Sequence, residues 1–341
     1  MNGKRVLITG HTGFKGTWLS LVLANQGYEV YGYSLKAQNR SLHTQLKQDY
    51  MRGECISDIR DFRKLNKYVK NISPDYVFHL AAQPLVLESY KNPRETFDVN
   101  IAGTSNLLDS AFNNQGIKAI GVVTTDKVYR NDNKGFSFVE SDALSGKDPY
   151  SASKVGAEAI TAAWQNISKQ KNGPKIVSLR AGNVIGGGDM ALDRLLPDLI
   201  RSFETGGTIF VRNPNSTRPW QHVLDPISGY IAAVIDSKNH LSPAYNFSPN
   251  GESLKVSDVV DIAAKAWGYA GEIEIRSDSD ENYEAEKLHL NSDLARKELN
   301  WKPKWDQEQA IVSTIEWWKQ VLIMKKDPRE ACVIDLDKAL A

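Results

Sequence analysis

The sequence predicts an α/β fold with a doubly wound parallel sheet, and three observations support this prediction. Short apolar runs rich in β-branched residues alternate with stretches of helical periodicity through the first half of the chain. A glycine-rich segment lies directly between the first apolar run and the first helical stretch. After about residue 180 the alternation gives way to frequent loops. Strands and helices that alternate in this way usually pack as a parallel sheet covered by helices.

Each element follows from its own pattern. The first predicted strand, Arg5–Thr9, leads through glycines into a helix at Thr17–Gln26, which Gly27 ends as a C′ glycine often does. The later predicted strands are short apolar runs at Glu29–Tyr33, Tyr76–Leu80, Ile120–Thr124 and Ile176–Arg180. The predicted helices between and after them are Asn100–Asn114, Tyr150–Lys169, Val256–Trp267 and Gln307–Lys319. From Asp327 onward we expect a loosely held helix or tail.

Composition excludes several classes of function. The 42 basic and 41 acidic residues leave a net charge of +1, which gives no reason to expect nucleic-acid or membrane partners. No apolar run approaches the ~20 residues that span a bilayer, and the chain begins a strand too early for a signal peptide. Cys55 and Cys332 fit neither zinc spacing nor a disulfide framework. We therefore expect a cytoplasmic protein with two reduced thiols and no metal.

The segment Gly10–Gly16 (GHTGFKG) predicts a dinucleotide-binding loop. Glycines between a strand and a helix let the chain turn tightly and let backbone N–H groups approach a pyrophosphate. The N-terminus of the following helix adds unpaired donors and a favourable dipole. Glycines also serve purely structural turns, but the strand before and the helix after favour the dinucleotide. The predicted cofactor contacts are Gly10, Thr12, Gly13, Phe14, Lys15 and Gly16.

The end of the second strand leaves NAD and NADP as alternatives. A dinucleotide site often has an acid there for the ribose 2′-hydroxyl, whereas Tyr33–Ala37 contains none. Lys36 or Arg40 would suit a 2′-phosphate, and a solvated surface role fits them equally well. Asp58 and Ile59 follow another short apolar stretch and are candidates for the adenine edge, with an ordinary loop carboxylate as the alternative.

Tyr150 and Lys154 form a Y-x-x-x-K pattern that indicates proton and hydride transfer. On a helix the two side chains share one face, ~6 Å apart along the axis. A free tyrosine has a pKa of about 10, and a nearby lysine cation lowers that pKa by favouring the phenolate. The tyrosine then accepts a proton from a hydroxyl while hydride leaves the same carbon. The pattern is common by chance, but the upstream glycine loop strengthens the interpretation.

Thr125, Asp126 and Lys127 follow the fourth predicted strand, where polar side chains of a parallel sheet face the ligand crevice. We predict that Thr125 hydrogen-bonds a substrate hydroxyl and that Asp126 and Lys127 act as an acid and a base. A solvated loop with a surface ion pair is the alternative. Two proton-transfer groups beside a hydride-transfer tyrosine indicate a reaction that also moves protons at other carbons.

At these residues the chain resembles the extended short-chain dehydrogenases/reductases. That resemblance rests on the glycine loop, His79–Gln83, the Asn100-x-x-Gly103-Thr104 helix start and the Tyr150/Lys154 pair. Over about residues 3–320 the chain is similar to CDP-glucose 4,6-dehydratases in particular. The more specific motifs are GHTGFKG, Thr125–Lys127, Arg180–Asp189, Thr217–Val223, Glu284–Leu290 and Leu299–Pro303.

The resemblance implies a seven-strand Rossmann-type sheet, bound NAD with NADP not excluded, a nucleotide-sugar substrate, and a homodimer packed through Asn100–Asn114 and Tyr150–Lys169. It also implies a division of the chain into two interleaved domains. Residues 1–180, with part of 216–250 returning to them, would bind NAD(P). Residues 181–330 would form a smaller α/β substrate domain.

The resemblance further implies a reaction. Tyr150 would deprotonate the C4 hydroxyl of the sugar as hydride passes to the nicotinamide, and Lys127 would then remove the acidified C5 proton. Asp126 would protonate the departing C6 hydroxyl, and hydride would return to C6 to give a 4-keto-6-deoxy sugar. Related dTDP-glucose dehydratases have glutamate where Lys127 stands. A neutral lysine base requires a lowered pKa.

Further contacts are carried over by the same matching. The further cofactor contacts are Ala81, Ala82, Gln83 and Asn100, together with the catalytic residues Tyr150 and Lys154. The substrate contacts are Gln83, Asn183, Arg194, Arg212 and Arg218, since guanidinium groups suit phosphate oxygens. A surface ion pair is the alternative for each arginine, and ordering of the fourth strand is the alternative for Asn100. His79 and His222 are expected to be structural.

Two other functions compete with a CDP-hexose dehydratase. The first is another nucleotide-sugar 4,6-dehydratase, 4-epimerase or reductase on the same fold. Asp126 and Lys127 argue against an epimerase, which needs no acid or base at C5 and C6. The second is a catalytically silent NAD(P)-binding sensor, against which the intact Tyr150 and Lys154 argue.

Overall fold

A computed structural model describes residues 3–46, 48–132, 135, 137–211, 213–237, 242–275 and 288–340. The strands are β1 (Arg5–Thr9), β2 (Glu29–Ser34), β3 (Gly53–Ile56), β4 (Tyr76–His79), β5 (Ala119–Val123), β6 (Ser137–Phe138), β7 (Lys175–Ala181), β8 (Asn183–Ile185), β9 (Ile209–Val211), β10 (Thr217–Arg218), β11 (Trp220–His222), β12 (Ala244–Phe247), β13 (Leu254–Lys255), β14 (Ile273–Ile275) and β15 (His289–Leu290).

Helices lie between most of these strands. They are α1 (Phe14–Asn25), α2 (Leu42–Gln45), α3 (Phe62–Ile72), α4 (Val86–Lys91), α5 (Pro93–Phe97), α6 (Gly103–Phe112), α7 (Pro149–Lys171), α8 (Leu195–Thr205), α9 (Leu224–Ile231), α10 (Val256–Trp267), α11 (Asp293–Leu299), α12 (Gln307–Leu322) and α13 (Pro328–Leu340). Short 3₁₀ turns occupy Gln48–Tyr50 and Asp126–Val128, and π-helical turns occupy Asp98–Ala102 and Ala232–Asp236. Among the described residues, no helix combines the length and the apolar character needed to cross a bilayer.

Seven strands form one parallel sheet in the order β12-β7-β5-β4-β1-β2-β3. The strand order reverses between β1 and β4, as in a Rossmann sheet. At such a reversal the connections leave toward opposite sides and open a crevice at the carboxyl ends of the strands. The predicted doubly wound sheet is therefore confirmed, and β12 adds its last strand from the second half of the chain.

Two elements differ from the sequence prediction. Strand β3, Gly53–Ile56, was not predicted as a strand, because its four residues alternate between half-buried and exposed positions and contain few apolar side chains. The segment Thr125–Lys127 consequently follows the fifth strand rather than the fourth. The helix predicted at Asn100–Asn114 is interrupted near its start, since Asp98–Ala102 adopts a π-helical turn before α6 begins.

The hydrophobic core joins the two halves of the chain. One cluster contains buried residues from both halves, including Trp18, Tyr230 and Trp317. The indole N–H of Trp18 donates to the carbonyl of Gly187 at 2.9 Å, across the same boundary. Since the core is shared, the domain division near residue 180 stays a prediction.

The expectation that the C-terminal segment is loosely held is wrong. Helix α13 packs against α12, and its residues Ala331, Cys332 and Asp335 are buried. This burial is hard to predict from the sequence because the apolar residues of α13 form no continuous stripe. The packing partner, rather than the pattern of the helix itself, determines which side chains of α13 are covered.

Candidate active site

The glycine loop joins β1 to α1 and leaves the first turn of the helix open. Gly10 has a φ of 75°, and a Cβ there would lie 2.7 Å from the backbone nitrogen of Ala81. A Cβ at Gly16 would overlap the carbonyl oxygen of Gly10. Gly13 precedes α1 and offers no side chain to cap it. The N–H groups of the first turn are thus available to an anion, as a pyrophosphate site requires.

The remaining loop residues connect this site to its surroundings. The Thr12 hydroxyl hydrogen-bonds Ser34 Oγ at 2.8 Å and donates to the carbonyl of Leu35 at 3.1 Å, which ties the loop to the end of β2. Phe14 packs against the core. Burial lowers the pKa of Lys15 to about 7, and the nearby Lys154 cation adds to the effect. Lys15 therefore belongs to the glycine loop and also lies close to the catalytic candidates Lys154 and Asp126.

Tyr150 and Lys154 lie one turn apart at the start of α7, which Asp148 caps through a capping box. Both side chains are buried, and the Lys154 ammonium donates to the carbonyl of Val123 at 3.2 Å. Burial lowers the pKa of Lys154 to about 8, although the Glu158 carboxylate opposes this shift.

The expectation that the pKa of Tyr150 is lowered is wrong. Burial raises the pKa of Tyr150 to about 12, and the Asp126 carboxylate raises it further. A hydrogen bond with Thr125 and the Arg194 cation act in the opposite direction. Desolvation outweighs these contacts because a phenolate loses more hydration than a neutral phenol when it is buried.

The 3₁₀ turn Asp126–Val128 follows the carboxyl end of β5, and Thr125 caps it by accepting a hydrogen bond from the backbone N–H of Lys127. The Thr125 hydroxyl donates to Asp126 Oδ1 at 2.9 Å. Asp126 is only 2% exposed, and its Oδ2 atom has no hydrogen-bond partner among the residues that the structure describes. Burial raises the pKa of Asp126, while Lys127, Thr125 and Arg218 act to lower it. A solvated surface loop is therefore excluded for Asp126.

A buried charge network joins Thr124, Glu158 and Arg180, and it was not predicted from the sequence. Nε and Nη2 of Arg180 donate to the two carboxylate oxygens of Glu158 at 2.9 and 2.8 Å. The Thr124 hydroxyl donates to the same carboxylate at 2.5 Å. Arg180 Nη1 also donates to the hydroxyl of Tyr129 at 2.9 Å. The available sequence signal was the position of Glu158, one helical turn beyond Lys154 on the same face.

Two of the predicted substrate arginines lie near the catalytic candidates. Arg218 is buried and lowers the pKa of Asp126 electrostatically. Arg194 pairs with Asp189 at 3.1 Å and lowers the pKa values of both Lys15 and Tyr150. Asn183 begins β8, which pairs with β11, and Arg212 lies outside the described residues.

The loop after β4 is held by its own polar side chains. Ala81 and Ala82 are half-buried, and Gln83 donates through Nε2 to the hydroxyl of Thr96 at 2.9 Å. Asn100 Oδ1 accepts from the Gln83 N–H at 2.8 Å, and Asn100 Nδ2 donates to Ser153 Oγ at 2.8 Å. The structure thus gives Asn100 the ordering role, between the β4 loop and α7. Ligand contacts of this loop stay predictions.

Asp58 and Ile59 follow β3 at the same edge of the sheet. Arg60 donates to the Asp58 carboxylate, which lowers the pKa of Asp58. The side chain of Ile59 is buried in the core, next to Gly103. A ligand could therefore meet Ile59 only through its backbone, and the adenine contact of both residues stays a prediction.

Both histidines that were expected to be structural are structural. His79 is buried between the hydroxyls of Thr9 and Thr104, at 2.7 and 3.0 Å, and burial lowers its pKa to about 3. His222 is buried against the ring of Trp305, with ring centroids 4.3 Å apart.

The Rossmann sheet, the open glycine loop and the buried tyrosine–lysine pair define a protein of the epimerase and dehydratase class of short-chain dehydrogenases/reductases. The sequence profile of the GDP-mannose 4,6 dehydratase family matches residues 7–314. The chain belongs to this family. It is 41% identical, over 327 residues, to a CDP-glucose 4,6-dehydratase of Salmonella typhimurium, covering 93% of this chain and 91% of that protein.

Other relatives are more distant. A UDP-glucose 4-epimerase of Pisum sativum is 26% identical over 347 residues, which cover 93% of this chain and 96% of that protein. The crystal structure of a dTDP-glucose 4,6-dehydratase from Bacillus anthracis in complex with NAD has a TM-score of 0.80 and 22% identity, and the match covers 93% of this chain and 97% of that one. This structural likeness supports the fold alone.

Proposed function

We propose that this protein is a CDP-glucose 4,6-dehydratase, a hydro-lyase that converts CDP-D-glucose into CDP-4-keto-6-deoxy-D-glucose in deoxysugar biosynthesis. The observation that carries the proposal is the buried Asp126, whose Oδ2 atom has no partner and which lies beside Tyr150 and Lys127. An epimerase that acts only at C4 has no use for this second acid. The relative from Salmonella typhimurium supports the cytidine assignment.

The residues of the glycine loop fit NAD. A Cβ at Gly10 or Gly16 would collide with backbone, so the loop keeps the close approach that a pyrophosphate needs. The first turn of α1 adds backbone donors without a side-chain cap. When bound, NAD accepts a hydride and returns it, so the reaction consumes no external reductant. Relatives of the same class that were solved with NAD support this cofactor.

In the proposed mechanism, Tyr150 accepts the proton of the C4 hydroxyl. Tyr150 can act as this base at neutral pH only if its pKa falls from about 12, and the Thr125 hydroxyl and the Arg194 guanidinium both act in that direction. Lys154, held by the carbonyl of Val123, supplies a further cation one turn along α7. The Glu158 carboxylate favours the protonated form of Lys154, since it acts to raise the pKa of Lys154.

The elimination of water is assigned to the 3₁₀ turn after β5. Lys127 removes the C5 proton, and Asp126 donates a proton to the C6 hydroxyl as it leaves. The raised pKa of Asp126 suits a general acid, because a buried carboxyl keeps its proton more readily than an exposed one. The unpartnered Oδ2 atom is the oxygen from which that proton would be delivered.

The arginines and the assembly complete the proposal. Arg194 and Arg218, with Arg212 and Asn183, bind the nucleotide diphosphate, since guanidinium groups form paired hydrogen bonds with phosphate oxygens.

The protein acts as a cytoplasmic homodimer. The free thiols of Cys55 and Cys332 are consistent with a reducing compartment, and the dimer follows from the family resemblance.

The first test is incubation of the purified protein with CDP-glucose, dTDP-glucose or UDP-glucose, without added reductant, followed by mass spectrometry of the sugar nucleotide. Loss of one water from CDP-glucose alone is the expected result. Loss from another nucleotide would keep the chemistry and overturn the cytidine assignment. An unchanged mass with inverted C4 configuration would identify an epimerase instead.

A second test separates the two halves of the reaction with Asp126→Asn. Removal of a general acid costs about 10²- to 10⁴-fold in the step that it serves. We expect this loss in water elimination, while the absorbance of reduced cofactor rises as the first hydride transfer proceeds without the second. A variant with normal elimination would remove Asp126 from the mechanism.

A further inference from the structure

Three potential metal ligands meet at the glycine loop. They are His11 in the loop, His43 in α2 and Glu54 in β3, and their ligand atoms all lie within 4.8 Å of one another. His11 Nε2 is 2.8 Å from Glu54 Oε2, and His43 Nε2 is 3.5 Å from the same oxygen. Three separate elements therefore direct nitrogen and oxygen atoms at one point.

Neighbouring residues hold the side chains of this cluster in position. Gly32 in β2 makes room for His11, because a Cβ at Gly32 would overlap the imidazole ring. Both histidines are almost completely buried, and their rings meet edge to face with centroids 5.2 Å apart. The hydroxyl of Tyr50 hydrogen-bonds His43 Nδ1 at 3.2 Å. This contact fixes the ring so that Nε2 faces Glu54.

Two imidazole nitrogens and one carboxylate oxygen form a donor set that suits divalent transition metals, Zn²⁺ in particular. A metal-bound histidine donates its second ring N–H to an oxygen acceptor, and the Tyr50 hydroxyl lies at that position of His43. The Glu54 side chain is 31% exposed, which provides an entry path and room for a water ligand.

We propose that His11, His43 and Glu54 bind one divalent transition-metal ion, which links the glycine loop to α2 and β3. We expected no metal because Cys55 and Cys332 fit no zinc spacing. The present cluster forms no local motif either, since His11 and Glu54 are 43 residues apart. The competing explanation is a direct hydrogen bond between His11 and Glu54 without an ion. Only the metal-binding explanation predicts a measurable affinity for a divalent metal ion to which His43 contributes.

The test is isothermal titration of ZnCl₂ into tag-free protein that has been treated with EDTA and dialysed. All samples include Cys55→Ser, so that the thiol next to Glu54 cannot bind the ion. We expect one saturable site per chain. His43→Gln is expected to weaken it by more than tenfold, and Tyr50→Phe by about tenfold, the lower end of the usual cost of losing an outer contact. The matched control His289→Gln, at a half-buried histidine outside the cluster, should leave the affinity unchanged.

A second variant guards against misfolding. Glu54→Gln alters a partly exposed side chain, keeps an oxygen that can accept from His11, and removes the anionic ligand. We expect its circular dichroism to match that of the parent, its Zn²⁺ affinity to fall by more than tenfold, and bound Co²⁺ to lose the visible absorption of a tetrahedral site. No saturable binding in the parent, or equal binding by the parent and by both His43→Gln and Glu54→Gln, would overturn the proposal. Because these measurements use no sugar nucleotide, they are independent of the dehydratase proposal.

Discussion

The glycine loop and the carboxyl end of β5 perform different tasks with different parts of the chain. The loop provides backbone N–H groups, because Gly10 and Gly16 contribute no side chains and the first turn of α1 is uncapped. The β5 end offers side chains, since Asp126, Tyr150 and Lys154 are all buried and all have shifted pKa values. Binding depends on the shape of the backbone, whereas proton transfer depends on how much water surrounds each titratable group.

Substitutions in the two regions should therefore affect different properties of the protein. A change in the loop should alter cofactor affinity and leave the pKa values of the β5 site intact. A change at the β5 end should alter rates or stability and leave cofactor binding intact. Four variants test this separation, and any variant that affects both regions equally would contradict it.

The largest effect is expected for Tyr150→Phe. Loss of the hydroxyl that receives the C4 proton should lower kcat for CDP-glucose by about 10²- to 10⁴-fold. Binding of NAD, measured by fluorescence titration, should change by less than about threefold. Tyr68→Phe is the matched control, because the buried Tyr68 hydroxyl has no hydrogen-bond partner among the described residues and belongs to helix α3, outside the site. Equal activity of Tyr150→Phe and the parent would refute the assignment.

Arg180→Met should give the largest loss of stability. The substitution leaves the Glu158 carboxylate buried without its bidentate partner, which costs about 3 to 5 kcal/mol in the free energy of unfolding. Urea denaturation measures this loss. The double variant Arg180→Met/Glu158→Gln is the control, and it should recover part of the loss because no unpaired charge remains. A double variant less stable than the single one would contradict this account.

Lys154 makes stability depend on pH. Its pKa falls from 10.5 in the unfolded chain to about 8 in the folded protein, so between these values the folded state binds fewer protons. Stability therefore rises with pH across this window, and the cost of burying the cation is fully present below pH 8. Relative to Lys154→Met, the parent should gain roughly 2 to 3 kcal/mol between pH 7.5 and pH 10 in urea denaturation. Parallel pH profiles for the two proteins would exclude the shift.

The smallest effect concerns the loop itself. Gly10→Ala places a methyl group against the backbone nitrogen of Ala81, so the loop must move and NAD affinity should fall by roughly tenfold, or about 1.4 kcal/mol. Gly251→Ala is the control, because Gly251 also has a positive φ but has no atom within 4 Å of the added Cβ. That variant should show only backbone strain and normal NAD binding. Equal NAD affinity in both variants would show that the loop tolerates a side chain.

The sequence by itself determined the local features of this protein. Alternating apolar runs and helical stretches established the parallel sheet, because side-chain periodicity follows directly from backbone geometry. The glycine loop was identifiable because close backbone approach requires residues without side chains. Tyr150 and Lys154 were recognisable because their spacing of four places them on one helix face.

Only the tertiary structure decided how these groups behave. Burial raises the pKa of Tyr150 instead of lowering it, and it leaves Oδ2 of Asp126 without a partner. The Glu158–Arg180 pair comes from α7 and β7, and the burial of α13 depends on α12. Desolvation and pairing are set by residues distant in the chain, so no local pattern carries them. A motif specifies which chemical groups are present, and packing decides their charge.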